Sequence, residues 1–189
     1  MYALLRTVEP LPNTFPEALM RLSRSLSAVA ALVLLASCDL STEPDLPAAI
    51  DPANDTYATS LGVDIASMTK TSAGLYYKDK VVGTGDVAAA ANDLVRMNYT
   101  VWLTNGTKLD SNKDPGETPD EFRIGDPNVI PGFSLGFIGM KPGGVRQLVI
   151  PAALAWGPNG SPADPANPGG PRVQPNANVV FEIELLAKL

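Results

Sequence analysis

The stretch 129–157 most constrains what this chain can fold into, because its apolar residues change period partway along. Phe133, Gly136, Phe137 and Met140 recur at helical spacing, and 145–150 then runs as an apolar strand. Pro131-Gly132 opens the first piece and Lys141-Pro142-Gly143-Gly144 closes it, punctuation that stops a helix at both ends. The pattern predicts a single short helix between those two signals, laid against a sheet.

The flanking sequence supplies the other strands. Leu75-Tyr76-Tyr77 and Val81-Val82 read as strand, and Gly83-Thr84-Gly85-Asp86 as a turn that uses glycine at positive φ. Along 94–103 the residues Val95, Met97, Tyr99, Val101 and Leu103 alternate onto one face, Asn105-Gly106 marks a hairpin, and 108–111 begins the return. Glu121-Phe122-Arg123-Ile124-Gly125 is a further alternating piece, and 178–186 is the last strand. Several strands with tight turns and one helix predict an α+β domain over 71–189, a twisted antiparallel β-sheet wrapped around one short α-helix.

Ahead of that domain the composition changes twice. Arg21 and Arg24 precede an apolar run at 28–36 and then Ser37-Cys38, the order of an export signal and too short for a stable membrane span. Residues 1–37 are therefore read as a signal peptide, with Met20 as an alternative start because 1–19 is rich in proline and carries two acids. Leu35-Ala36-Ser37-Cys38 resembles a bacterial lipobox, which implies lipidation at Cys38 and a membrane-anchored protein of the cell envelope facing the periplasm or exterior; the bland alternative is a buried free thiol. Residues 38–70 are expected to be an acidic, Pro-rich tether. Within it, Leu61, Val63, Ile65 and Met68 form a weak pattern compatible with a short helix or with a strand packing onto the domain.

Charge and residue usage exclude several functions. With 14 basic against 20 acidic residues the formal charge is −6, so the footprint of a nucleic-acid binder is missing. The chain has no His and one Cys, which removes His-based triads, His metal sites, Cys-rich zinc sites and internal disulfides. Asp110-Ser111-Asn112-Lys113-Asp114 looks faintly like a calcium loop but lacks the remaining ligand spacing and terminal Glu. No metal and no cofactor are expected.

The segment Val129-Ile130, Gly132-Phe133, Met140, the Gly turn, Ile150-Pro151 and Leu154-Ala155-Trp156-Gly157 resembles the central signature of the FKBP-type peptidyl-prolyl cis-trans isomerases. The resemblance extends over about 71–189 and implies the same fold. It assigns Tyr99, Asp110, Ile130, Trp156 and Phe181 to catalysis, and Leu109, Val129, Phe133 and Val173 to substrate binding. Leu109 stands where Phe is usual, Phe133 where Trp is usual, and Trp156 where Tyr is usual. Asp120 falls near a position where an aromatic often flanks the site, and 157–175 is a longer loop than compact members have. For each aromatic the alternative is plain core packing. For Asp110 the alternative to orienting pocket aromatics and polarising a carbonyl is a strand-end or turn-capping carboxylate.

The resemblance implies a monomer that isomerises X-Pro bonds in unfolded or extended Pro-containing polypeptides as exported proteins fold, with no nucleic-acid partner. The different-class alternative is a non-catalytic module that holds Pro segments, as a holdase or assembly factor. A third reading, a structural acidic lipoprotein, would be favoured by a filled pocket.

Overall fold

The computed structural model describes residues 46–85, 91–162 and 169–189. The expected signal peptide, Cys38, the first part of the tether and Asp86 lie outside them. Within them, seven strands form one antiparallel sheet: β1 (Thr69–Lys70), β2 (Tyr76–Val81), β3 (Leu94–Leu103), β4 (Lys108–Ser111), β5 (Asp120–Arg123), β6 (Gly144–Ile150) and β7 (Val179–Lys188). Their order is β1-β2-β6-β7-β3, and β4 and β5 share the far edge of β3, against Thr100 to Trp102 and Leu94 to Met97 respectively. The hairpin turn falls at Asn105-Gly106 as the sequence predicts, with Gly106 N–H donating to Leu103 O at 2.9 Å.

Alternation sorts the strands onto two faces. Val95, Met97 and Val101 of β3, Leu148 and Ile150 of β6, and Val179, Phe181, Ile183 and Leu185 of β7 point inward and form the main core. Against it packs α1 (Pro131–Phe137), whose Phe137 is fully buried. The helix lies close to β6 because Gly132 and Gly136 face it: a Cβ there would stand 2.2 Å from Ile150 Cγ2 and 2.4 Å from Leu148 Cδ1. The helix is shorter than its apolar spacing suggests. It stops at Phe137, and the chain turns at Gly139 (φ 77°), so Met140 reaches the core from beyond the last turn.

Arg146 is an inward-facing side chain of β6, only 5% exposed. Its Nη1 donates to the carbonyls of Gly136 and Ile138 at 2.9 Å each, taking up acceptors that the helix end leaves open. Its other edge grips Asp79 through Nε–Oδ1 (2.6 Å) and Nη2–Oδ2 (3.1 Å), and the guanidinium lies 4.4 Å from the Tyr77 ring centre.

Two further expectations need correction. From residue 46 onward the predicted tether is a docked arm. Short 3-10 turns at Pro52–Asn54, Thr59–Leu61 and Ile65–Ser67 lead into β1. Leu61 and Met68 bury against Tyr76, Val149 and Val180 on the outer face of the sheet, beside Trp102. Polar bonds fasten the arm along its length: Asn176 Nδ2 to Pro47 O, Asn178 Nδ2 to Ile50 O and Asp55, Ala58 N–H to Thr104 O, and Gln147 Nε2 to Leu61 O. The second correction concerns Gly83, which does not adopt positive φ. Its glycine is required by close approach instead, since a Cβ would lie 2.1 Å from Lys141 O.

Candidate functional site

Helix α1 covers only part of the inner face. Over the β3, β4 and β5 side, the sheet and the loop after β6 enclose a cavity of about 730 Å³, within the range of small-molecule and peptide-anchor sites. Tyr99, Leu109, Asp110, Val129, Ile130, Phe133, Trp156, Val173 and Phe181, the residues singled out from the sequence, all line it.

Its floor is aromatic. Phe133, held by the first turn of α1, contacts four rings: Phe122 and Phe137 at 5.2 Å between centroids, Phe181 at 5.3 Å and Tyr99 at 5.8 Å. Most of these pairs are tilted or edge-on, the arrangement favoured by ring quadrupoles. Phe133 and Phe181 are nearly buried, and Tyr99 and Trp156 are half-buried. The floor is thus both core and surface.

Polar groups stand at its edge. The Tyr99 hydroxyl donates to Asp110 Oδ2, and Asp110 Oδ1 accepts the N–H of Ser111 at 2.8 Å. Burial, followed by that hydrogen bond and the nearby charges of Asp110, Asp120 and Glu117, pushes the Tyr99 phenol well above its ordinary range. Asp110 therefore both orients a pocket aromatic and caps its own strand end. An Asx turn at Asp126, closed by Asn128 N–H to Oδ1 (2.9 Å) and Val129 N–H to Asp126 O (3.1 Å), delivers Val129 and Ile130 to the cavity. Ile130 O accepts the first helical bond, from Phe133 N–H at 3.1 Å. Its own N–H precedes the helical ladder, so the helix does not consume it. Among the described residues no acceptor takes the Trp156 indole N–H.

The loop after β6 is pinned across its base: Ser161 N–H donates to Val173 O (2.9 Å) and Val173 N–H to Ser161 Oγ (3.0 Å). This buries Val173 and brings Pro162 and Pro171 to the cavity. Sequence reasoning missed Phe122, Met97 and Val101 as lining residues. Inward parity in β3 could have flagged the latter two, whereas nothing in the sequence marks Phe122 apart from a core residue. Among the described residues no group of three His, Cys, Asp or Glu is placed to hold a metal ion, and no helix is long and apolar enough to cross a membrane.

Comparison with known proteins gives a consistent picture. A family profile described as FKBP-type peptidyl-prolyl cis-trans isomerase matches residues 85–186. The chain is 38% identical over 113 residues to an FK506-binding protein of Neisseria meningitidis, covering 60% of this chain and 94% of that one. It is 39% identical over 122 residues to FK506-binding protein 4 of Dictyostelium discoideum, covering 65% of this chain and only 30% of that longer protein. Among solved structures it is similar to FkpA of Escherichia coli, at 35% identity and a TM-score of 0.53, covering 64% of this chain and 51% of the other.

Proposed function

Because the chain belongs to the FKBP-type peptidyl-prolyl cis-trans isomerase family, we propose that its cavity accelerates cis/trans exchange of X-Pro bonds in extended polypeptides. The observation that carries this reading is the aromatic floor of Tyr99, Phe122, Phe133 and Phe181, with hydrogen-bonding groups at its edge.

The chemistry suits such a site. The barrier of about 18–20 kcal/mol comes from amide resonance, which places charge on the carbonyl oxygen. No bond is broken and no proton need move. Stripping water from the carbonyl before proline weakens the planar, charge-separated form, and a rigid aromatic wall holds the ring while the amide twists. Phe133, Phe181 and Tyr99 supply that wall. On this reading the Ile130 N–H donates to the substrate backbone, and the Trp156 indole N–H donates to the carbonyl as it turns out of plane. Asp110 orients Tyr99 and transfers no proton.

The N-terminus supports an exported, lipid-anchored setting in which the clients are secreted or envelope proteins still folding. The signal pattern and lipobox-like Leu35-Ala36-Ser37-Cys38 carry this part of the proposal. With Cys38→Ser, the chain should no longer incorporate labelled fatty acid or partition with membranes; retention of both would remove the anchor from the account.

A second reading, a module that holds Pro segments without turnover, is favoured by Leu109 and Asp120, where the β4 and β5 side of the cavity carries an aliphatic and a charged side chain in place of rings. Turnover on a panel of X-Pro peptides separates the two. Acceleration supports the isomerase, and saturable binding at an unchanged exchange rate supports the module.

A further inference from the structure

The lip of the cavity carries a charge pattern that its apolar floor does not require. Among the described residues three carboxylates line it, those of Asp110, Asp120 and Glu121, and no lysine or arginine does. Their partners differ in kind. Glu121 is paired with Arg96 through Nε (2.9 Å) and Nη2 (2.6 Å). Among the described residues Asp110 is held by the Tyr99 hydroxyl and the Ser111 N–H alone. Asp120 receives the Asn112 side-chain amide at 3.3 Å. Neutral donors orient a carboxylate without cancelling its charge, so two full negative charges stand at the cavity mouth. The lysines of the same turn face other acids: Lys108 binds Asp114 (2.7 Å), and Lys113 reaches Glu184 (3.4 Å) and Glu182 (3.8 Å).

Asp120 is also fixed in place. Asn112 is buried, with its Oδ1 accepting Tyr99 N–H at 2.8 Å and its Nδ2 donating to Met97 O at 3.1 Å. Asp120 itself sits opposite Met97 in the β3–β5 pairing. One buried amide therefore ties a floor aromatic, the β3 backbone and the lip carboxylate together.

We propose that Asp120, with Asp110 beside it, makes this cavity select X-Pro segments that carry a lysine or arginine next to the proline. The inference rests on the Pro-segment cavity of the preceding subsection and adds its specificity. The site is the cavity; the carboxylates tune which chains enter it. Attraction for a cation and repulsion of an anion both act at the mouth. The effect is salt-sensitive because the lip is exposed and charges separated by more than about 10 Å are screened at 0.1 M.

The test uses three peptides differing only in the residue before proline (Lys, Leu or Glu), a matching set differing in the residue after it, and exchange rates measured by NMR. At low ionic strength the Lys peptide should exceed the Glu peptide in kcat/KM by about tenfold in at least one set, falling to about twofold or less in 1 M salt. Asp120→Asn should shrink that ratio about threefold, whereas Glu121→Gln, whose charge Arg96 already offsets, should move it less. The Lys-to-Glu ratio within one variant is the readout, so a general loss of activity does not mimic the result. If no peptide is turned over, the isomerase reading falls, and the same ratio is taken from Kd values. A Lys-to-Glu ratio near one at low salt, or one that Asp120→Asn leaves intact, would overturn the proposal.

Discussion

The sheet's inner face is closed at one end by α1, with Gly132 and Gly136 drawing it onto β6, and is left open over β3, β4 and β5 as an aromatic-floored cavity. Its outer face, built by the alternate residues of the same strands, is covered by an arm with little regular structure that buries Leu61 and Met68. A regular helix is stiff and covers a fixed area, which leaves room for a cavity beside it. An irregular chain follows the surface and fills it. The inner face thus keeps a cavity, and the outer face provides closure and stability.

Breaking the inner face at its seal should have the largest effect. Arg146→Ala removes the partner of two helix-end carbonyls and of Asp79 at a nearly buried site, and a loss of about 3 kcal/mol in urea unfolding is expected. Next comes the cavity wall. Trp156→Ala should lower kcat/KM about 30-fold, near 2 kcal/mol of transition-state stabilisation, while Asp110→Asn lowers it only about threefold, because shape and desolvation carry the rate. The reverse order would argue for acid chemistry.

The outer face should respond differently. Leu61→Ala should cost about 2 kcal/mol of stability, the low end for a leucine, because it sits at the margin of a small cluster, and should leave peptide turnover within twofold. A large loss of turnover would mean that the arm shapes the cavity through the sheet.

The inner face was legible in advance because its residues come in an ordered motif: the period switch, the flanking Pro and Gly, and the order of Tyr99, Asp110, Phe133, Trp156 and Phe181 all point one way. The arm was legible only in part: Leu61 and Met68 fall in a weak pattern that a docked segment would explain, but the docking itself was not legible. Pro52, Leu61 and Met68 are buried at irregular spacing, so no helical or strand period links them, and the surrounding polar residues and prolines resemble a linker. Arg146 was readable in principle, since it shares inward parity with Leu148 and Ile150. Which carbonyls it would meet depended on where α1 stops, and the helix ends at Phe137, nearly one turn before the apolar spacing ends at Met140, with the chain turning at Gly139. Asp120 could be flagged as an acid near the cavity, but its fixed position depends on Asn112, whose burial no local pattern announces.

The smallest effect expected is that of pH on rate. The chain has no His, and Tyr99 is displaced upward, away from neutrality. The sign follows from the raised value: a phenol favoured as neutral in the fold contributes stability that is present below its unfolded pKa, near 10, and is lost only as pH rises beyond it. Turnover should therefore stay flat from about pH 6 to 9. A bell-shaped profile in that window would bring in a titrating group that the cavity does not contain.

The central claim is that an apolar, ring-lined cavity twists the X-Pro amide without proton transfer. It is tested most directly by magnetisation-exchange NMR on one X-Pro peptide mixed with a sub-stoichiometric amount of the protein at neutral pH. The predicted result is faster cis/trans exchange with the wild-type chain, largely lost in Trp156→Ala and mostly kept in Asp110→Asn. Peptide resonances that shift on binding while the exchange rate stays at its uncatalysed value would contradict it.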